Sequence, residues 1–413
     1  MNTMLSADFE RMTPWQRLSL LSVCMLAFSV SLGAAVVGLA KLVVLVACIG
    51  QLWLDGWQGI RERLRTPSAV TRVVVLAVVW FALSASWTEA ASGDAWPAFW
   101  RHARLLWLLP VLYLLRTPQA AYRVLACLLA GQGLVLLLSW LLWLGVPVPW
   151  TTTRYAPEMG VVFTGHLEQP IMTTLLAVLL WDLRSRWVSA WPGPRGQLVL
   201  AVGLALALGN VFLIMTGRMG YLAMLLFIAL ALWRLAPRQW RWAMVLLPML
   251  SAWLLFELSP RVHDRLLEVQ ADVQAYQRGE IASSQGLRLE MWRVSLLAAK
   301  QAPWVGHGVG SYAQVYRDLH GRDPGGASHP HQQYLFWLVE FGFVGLGLLL
   351  AFFAALLWQA RRLPPPSANA LRSTVWIGAL VSLANGPFYG VGLGECLLLM
   401  MAALMATQER RSA

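Results

Sequence analysis

Long apolar runs recur along this chain, parted by short polar gaps, and that alternation limits the folds open to it. Runs of about 17 to 25 apolar residues suit helices that cross a bilayer, where a helix satisfies its own backbone without water. Such runs lie near residues 18–34, 36–54, 70–88, 104–115, 121–145 and 169–183, then near 198–215, 220–235, 240–257, 331–358, 373–388 and 391–407. They give twelve spans. The fourth is short unless it begins in Trp96–Trp100, and the 391–407 boundary is soft, which leaves ten or eleven as alternatives. Of 413 residues, 58% are hydrophobic, 13% are charged and 23 are Trp, an inventory from which no water-soluble surface can be assembled. The expected fold class is an all-α polytopic membrane protein.

The formal charge of +12 would suggest nucleic acid in a soluble chain, but here the basic residues sit in the gaps between apolar runs. They read as topology signals, and no nucleic-acid partner is expected. One alternate set of gaps holds Arg11 and Arg17; Arg61, Arg63, Arg65 and Arg72; Arg116 and Arg123; Arg184, Arg186 and Arg195; Arg234, Arg238 and Arg241; Arg361, Arg362 and Arg372; Arg410 and Arg411. The positive-inside rule makes these cytoplasmic, with both termini, and puts the long polar loop outside. The expected layout is spans one to nine over 1–258, the large loop over 259–330 and spans ten to twelve over 331–413. No small-residue cleavage site follows the first run, so an uncleaved first helix is expected. Cys24, Cys48, Cys127 and Cys396 all fall inside spans and read as small hydrophobes. Pro364–Pro366 read as a stiff connector.

Three external features are not explained by topology. Met215-Thr216-Gly217-Arg218-Met219-Gly220 is a hairpin between two spans with almost no loop, and its arginine either snorkels to a headgroup or is held by the glycine turn against a phosphate. In Ser283–Arg293, a helix starting near Ser284 or Gln285 puts Arg288 in or just past the first turn, where the dipole opposes a cation. An anionic ligand would offset that, and so would a salt bridge with Glu290 or Asp272. Trp292, four residues on, shares the face of Arg288. The following Pro303–Gly310 reads as turn chemistry, with His307 structural.

The third feature is Ser328-His329-Pro330-His331-Gln332-Gln333, where polar chain gives way to an apolar helix. Pro330 suits the first helical position with Ser328 or His329 as cap, and His331 then falls in the first turn. The positive helix end disfavours imidazolium, so His331 is expected neutral at pH 7, the state of a general base. Leu335, Leu338, Gly342 and Gly345 share its stripe, and small residues there admit a neighbouring helix or a lipid chain. A polar interfacial histidine is the plainer alternative. Secondary candidates for substrate contact are Arg154, His166 and Glu168, before a span, and Arg101 and Arg104 among Trp96, Trp100 and Trp107. Each of these would equally suit an interfacial anchor. Lys41, Glu340 and Glu395 lie deep in apolar runs and are expected to pair, with Glu340 off the His331 face.

His331-Gln332, then nine residues, then Gly342-Phe343-Val344-Gly345 resembles the signature of bacterial O-antigen ligases, within the group that includes O-antigen polymerases and protein O-oligosaccharyltransferases. Thr216–Gly220 is similar to that group's Ser/Thr-Gly-Arg turn, and Arg288 with Trp292 to its loop arginine motif; the resemblance covers roughly Leu198 to Leu350. Threonine stands for the commoner serine and Gln332 for the commoner asparagine, so neither position should carry indispensable chemistry.

The resemblance implies an inner-membrane glycosyltransferase of GT-C type with a large, partly helical periplasmic loop and an active site on the periplasmic face. It would move O-antigen glycan from undecaprenyl diphosphate to lipid A-core, with inversion. His331 would be the base, Arg218 and Arg288 the cations for the leaving group, and Trp292 a substrate contact. No cofactor is implied. No metal is required, since no Asp-x-Asp or close carboxylate set occurs in the external segments, and His329 with His331 lack a further zinc ligand. Besides the lipid-linked glycan and lipid A-core, membrane lipids are the expected partners. The rivals are a polymerase or protein O-oligosaccharyltransferase using the same donor, a transporter or flippase without chemistry, and a membrane scaffold. His329, on the far side of Pro330, is expected to matter much less than His331.

Overall fold

A computed structural model of the chain describes residues 12–408 apart from 92, 150, 152–154, 245, 247–249, 251–252, 254–256, 258–259, 281–282 and 322–328. Half of the expected span at 240–257 lies outside the described residues, as do Arg11, Arg154, Ser328, Arg410 and Arg411. The described residues are helical, with no strand among them. Among the described residues five helices are long and apolar enough to cross a membrane: Ala34–Glu62, Pro118–Trp143, Pro194–Ile214, Arg218–Leu235 and Gln333–Ala360. Ala69–Ser84 and Leu393–Met405 are apolar but shorter.

Helix starts follow local chemistry. Thr13, Ser68 and Thr117 accept from the backbone N–H three residues on, and Pro14 and Pro118 take the first helical position, where their missing N–H costs nothing. The run at 104–115 is not one helix. It divides into Ala95–His102, a 3-10 turn Ala103–Trp107 and Leu108–Leu114, because Pro110 lacks the N–H that a continuous helix would donate to Leu106.

Leu393–Met405 is buried along its whole length and Gln169–Asp182 nearly so, as befits helices apolar on every face. Around them, Gln333–Ala360 packs on Ala69–Ser84, Pro365–Val381 and Ser284–Gln301, while Pro14–Ser29 packs on Ala34–Leu64 and Pro118–Trp143. The deep charges pair, as expected. Glu395 bonds Lys41 and, at 3.0 Å, Arg104, while Glu340 meets His102 at 2.8 Å with both side chains 1% exposed. At the opposite ends of the spans Arg234 reaches Asp182 at 2.9 Å and Arg116 reaches Asp55 at 2.6 Å.

The Gln333–Ala360 helix breaks at Gly342, where φ is 64° and ψ −162°. Residues 303–308 insert at the break. Phe343 N–H donates to Pro303 O at 2.7 Å, and His307 and Gly308 N–H to Val339 and Glu340 O, each at 2.9 Å. These bonds replace those the break removes. A Cβ on Gly342 would stand 2.3 Å from the Trp304 carbonyl carbon, so only glycine fits. The close approach expected at Gly342 therefore comes from the Pro303–Gly308 turn, not from a lipid chain or neighbouring span. His307, bonded to Glu89 at 2.9 Å and Ala298 O at 3.0 Å, locks that turn, in its expected structural role.

Candidate active site

Arg218 is the first residue of its helix, Gly217 its N-cap. The turn before it is lined with glycine because the chain behind is close: a Cβ on Gly217 would lie 2.7 Å from His166 O, and one on Gly220 2.4 Å from Pro170 Cβ. The turn thus packs on the 166–170 segment, and Arg218 carries its charge at the positive end of a dipole. Its Nη2 contacts Glu268 at 3.1 Å, a carboxylate 49% exposed. An ion pair that open to water holds the side chain only weakly.

Arg288 lies five residues into the Ser284–Gln301 helix, capped by the Ser283 side chain accepting from Gly286 N–H. Neither alternative salt bridge forms. Glu290 is taken by Arg293 at 2.6 Å, by Tyr276 at 2.8 Å and by His320 at 3.1 Å, and among the described residues Arg288 has no ion pair. It is half-buried, and burial together with the Arg218 charge lowers its pKa. Trp292, on the same face, donates its indole N–H to Pro330 O at 3.0 Å and so ties this helix to the histidine segment.

That segment differs from its sequence reading. The helix begins at Gln333, with Gln332 as N-cap accepting from Leu335 N–H; Pro330 and His331 stand outside it. A glutamine capping the helix with its side-chain oxygen does what an asparagine would do there. His331 is consequently not in the first turn and does not share the stripe of Leu335, Leu338, Gly342 and Gly345. It has φ 52°, the one left-handed non-glycine among the described residues, a conformation costing roughly 1–2 kcal/mol. Its N–H donates to His329 Nδ1 at 3.1 Å, with ring centroids 4.4 Å apart. Burial and then the Arg288 guanidinium push the His331 imidazole down to about 4. The neutral state expected from the helix dipole is thus supported from other causes.

Behind His331 lies a second layer. Tyr389 packs between His329, edge-on at 5.3 Å, and the buried His102, tilted at 5.1 Å; its hydroxyl accepts from Arg101 at 3.0 Å and its carbonyl from Arg104 at 2.7 Å. Arg104 is thus held by Glu395 and Tyr389. Glu168 lies under Gly390 and Gly392, where a Cβ would come within 3.2 and 2.8 Å of its carboxylate. Burial pushes its acid up to about 7, against the Leu393 N–H and Arg104. His166 meets Tyr155 edge-on, with ring centroids 5.2 Å apart. Arg154 lies outside the described residues. From sequence alone the arginines and His331 stood out as candidates, His102 and Tyr389 did not, and His329 was discounted. Tyr389 carried no motif, and His102 stood in what read as an aromatic belt.

The described residues, helical and including several apolar helices of membrane-spanning length, mark a multi-pass membrane protein. Residues 202–350, which include Arg218, Arg288, His329 and His331, match the family model described as O-antigen ligase. Members of the family are membrane glycosyltransferase-like enzymes. No curated protein matches the chain.

Proposed function

We propose that the protein is an O-antigen ligase of the bacterial inner membrane, transferring a glycan from undecaprenyl diphosphate to lipid A-core on the periplasmic face. The observation that carries the reading is a half-buried Arg288 without a carboxylate partner among the described residues, near enough to Arg218 to feel its charge and near enough to His331 to help push the imidazole down. Two cations at helix starts suit a diphosphate, and the neutral base beside them suits an acceptor hydroxyl.

In the reaction, His331 takes the hydroxyl proton as the acceptor oxygen attacks the anomeric carbon. The bond from that carbon to the diphosphate oxygen breaks, inverting the configuration, and undecaprenyl diphosphate leaves with its charge held by Arg218 and Arg288. The donor is already activated, and the arginines supply the neutralisation without a metal. Both termini lie in the cytoplasm on this reading, with about twelve spans in a GT-C-type arrangement. The test is transfer by purified protein in detergent, with no nucleotide or added metal. A heavier lipid A-core species is the expected product; longer lipid-linked glycan from the donor alone would make it a polymerase instead.

A further inference from the structure

We propose that His329 is the positioning residue for His331, acting as a hydrogen-bond acceptor and not as an acid or base. The proposal rests on His331 being the base of the transfer reaction. Three consecutive residues are fixed in three ways: the His329 ring accepts the His331 N–H at 3.1 Å, Pro330 O accepts the Trp292 indole at 3.0 Å, and Gln332 starts the helix. A left-handed histidine persists only where its surroundings hold it, and the His329 bond is the contact that acts on its backbone directly. Arg288 and Trp292 share one helix face, so the same clamp sets the distance between the cation and the base.

The bond also decides the state of His329. Because Nδ1 accepts, that nitrogen carries no proton, and the neutral ring holds its hydrogen on Nε2. A proton on Nδ1 would break the clamp. The ring is packed against His331, Tyr389 and Phe336, with centroids at 4.4, 5.3 and 5.8 Å. Every charged or titratable group that presses on it disfavours a second proton: burial first, then His331, His102, Arg101 and Arg288 push it down to about 3. His329 therefore stays an acceptor throughout the working pH range.

The test is a near-isosteric pair. Asparagine carries an acceptor oxygen where His329 has Nδ1, whereas leucine fills the space without one. His329→Asn should keep most of the wild-type transfer rate, and His329→Leu should lose about 100-fold in kcat, the scale of a misplaced catalytic group, with little change in KM for the lipid diphosphate donor. Melting in detergent and donor binding check that each variant is folded; if His329→Leu fails that check, His329→Ala replaces it with the same expectation. A folded His329→Asn as inactive as His329→Leu would overturn the proposal in favour of proton chemistry at His329, and wild-type kcat in His329→Leu would overturn it outright. A separate His331→Gln control distinguishes failure of the underlying reading: wild-type transfer there removes the base itself, whatever the 329 pair shows.

Discussion

Arg288 and Arg218 differ in what opposes their charge, and that difference has consequences. Arg288 has no ion pair among the described residues and is half-buried, while Arg218 touches the exposed Glu268. A charge-assisted contact to a diphosphate in a water-poor site contributes roughly 1.5–3 kcal/mol. Replacing either arginine by alanine should therefore lower kcat/KM by about 10- to 100-fold while the protein stays folded, and lysine should rescue only in part, since it lacks the planar fork. Near-normal steady-state transfer by both alanine variants would mark them as lipid anchors. At His331 the sign of the pH effect is fixed by its neutral working form. With the imidazole pushed down to about 4 by burial and Arg288, kcat/KM should hold as pH falls through 6.5, the ordinary histidine value, and decline only well below it. An acid limb at 6.5 or above in the pH–rate profile would contradict this environment.

At the scale of elements, the break at Gly342 holds the Gln333–Ala360 helix against the Pro303–Gly308 turn. Gly342→Ala would demand φ 64° of a residue with a Cβ and drive that atom into Trp304. It should cost more than about 2 kcal/mol, seen as a lower melting temperature in detergent; an unchanged melt would show that the break is not needed. The apolar runs made the long helices legible in advance, because hydrocarbon-spanning length is written directly in composition. Breaks and caps were not. Gly342 read as a small residue on a stripe, since its positive φ depends on the Pro303–Gly308 turn, well upstream in the chain. Pro330 satisfied the rule for a helix start, yet Gln332 was the cap that formed, and this moved His331 off the helix. At the site, arginines at glycine-rich or capped helix starts were readable from local sequence. His102, Tyr389 and the role of His329 arise from contacts between distant segments and left no local mark.

Across the whole molecule, the proposed reaction needs donor, acceptor and the His331 cluster on one side of the membrane. On the proposed topology, which rests on arginine asymmetry, the turn at Arg278–Gly279 is outside and Pro364 inside, so compartment-sensitive reporters fused at Gly279 and at Pro364 should respond oppositely. The same response at both would dismantle the topology. The cluster itself is tested most directly by single-turnover transfer from undecaprenyl-diphosphate glycan to lipid A-core, run side by side for the purified wild type and His331→Gln, with donor binding measured on both. The account predicts that the wild type yields a heavier lipid A-core product while His331→Gln binds donor equally and yields none. Transfer by His331→Gln at the wild-type rate would contradict it.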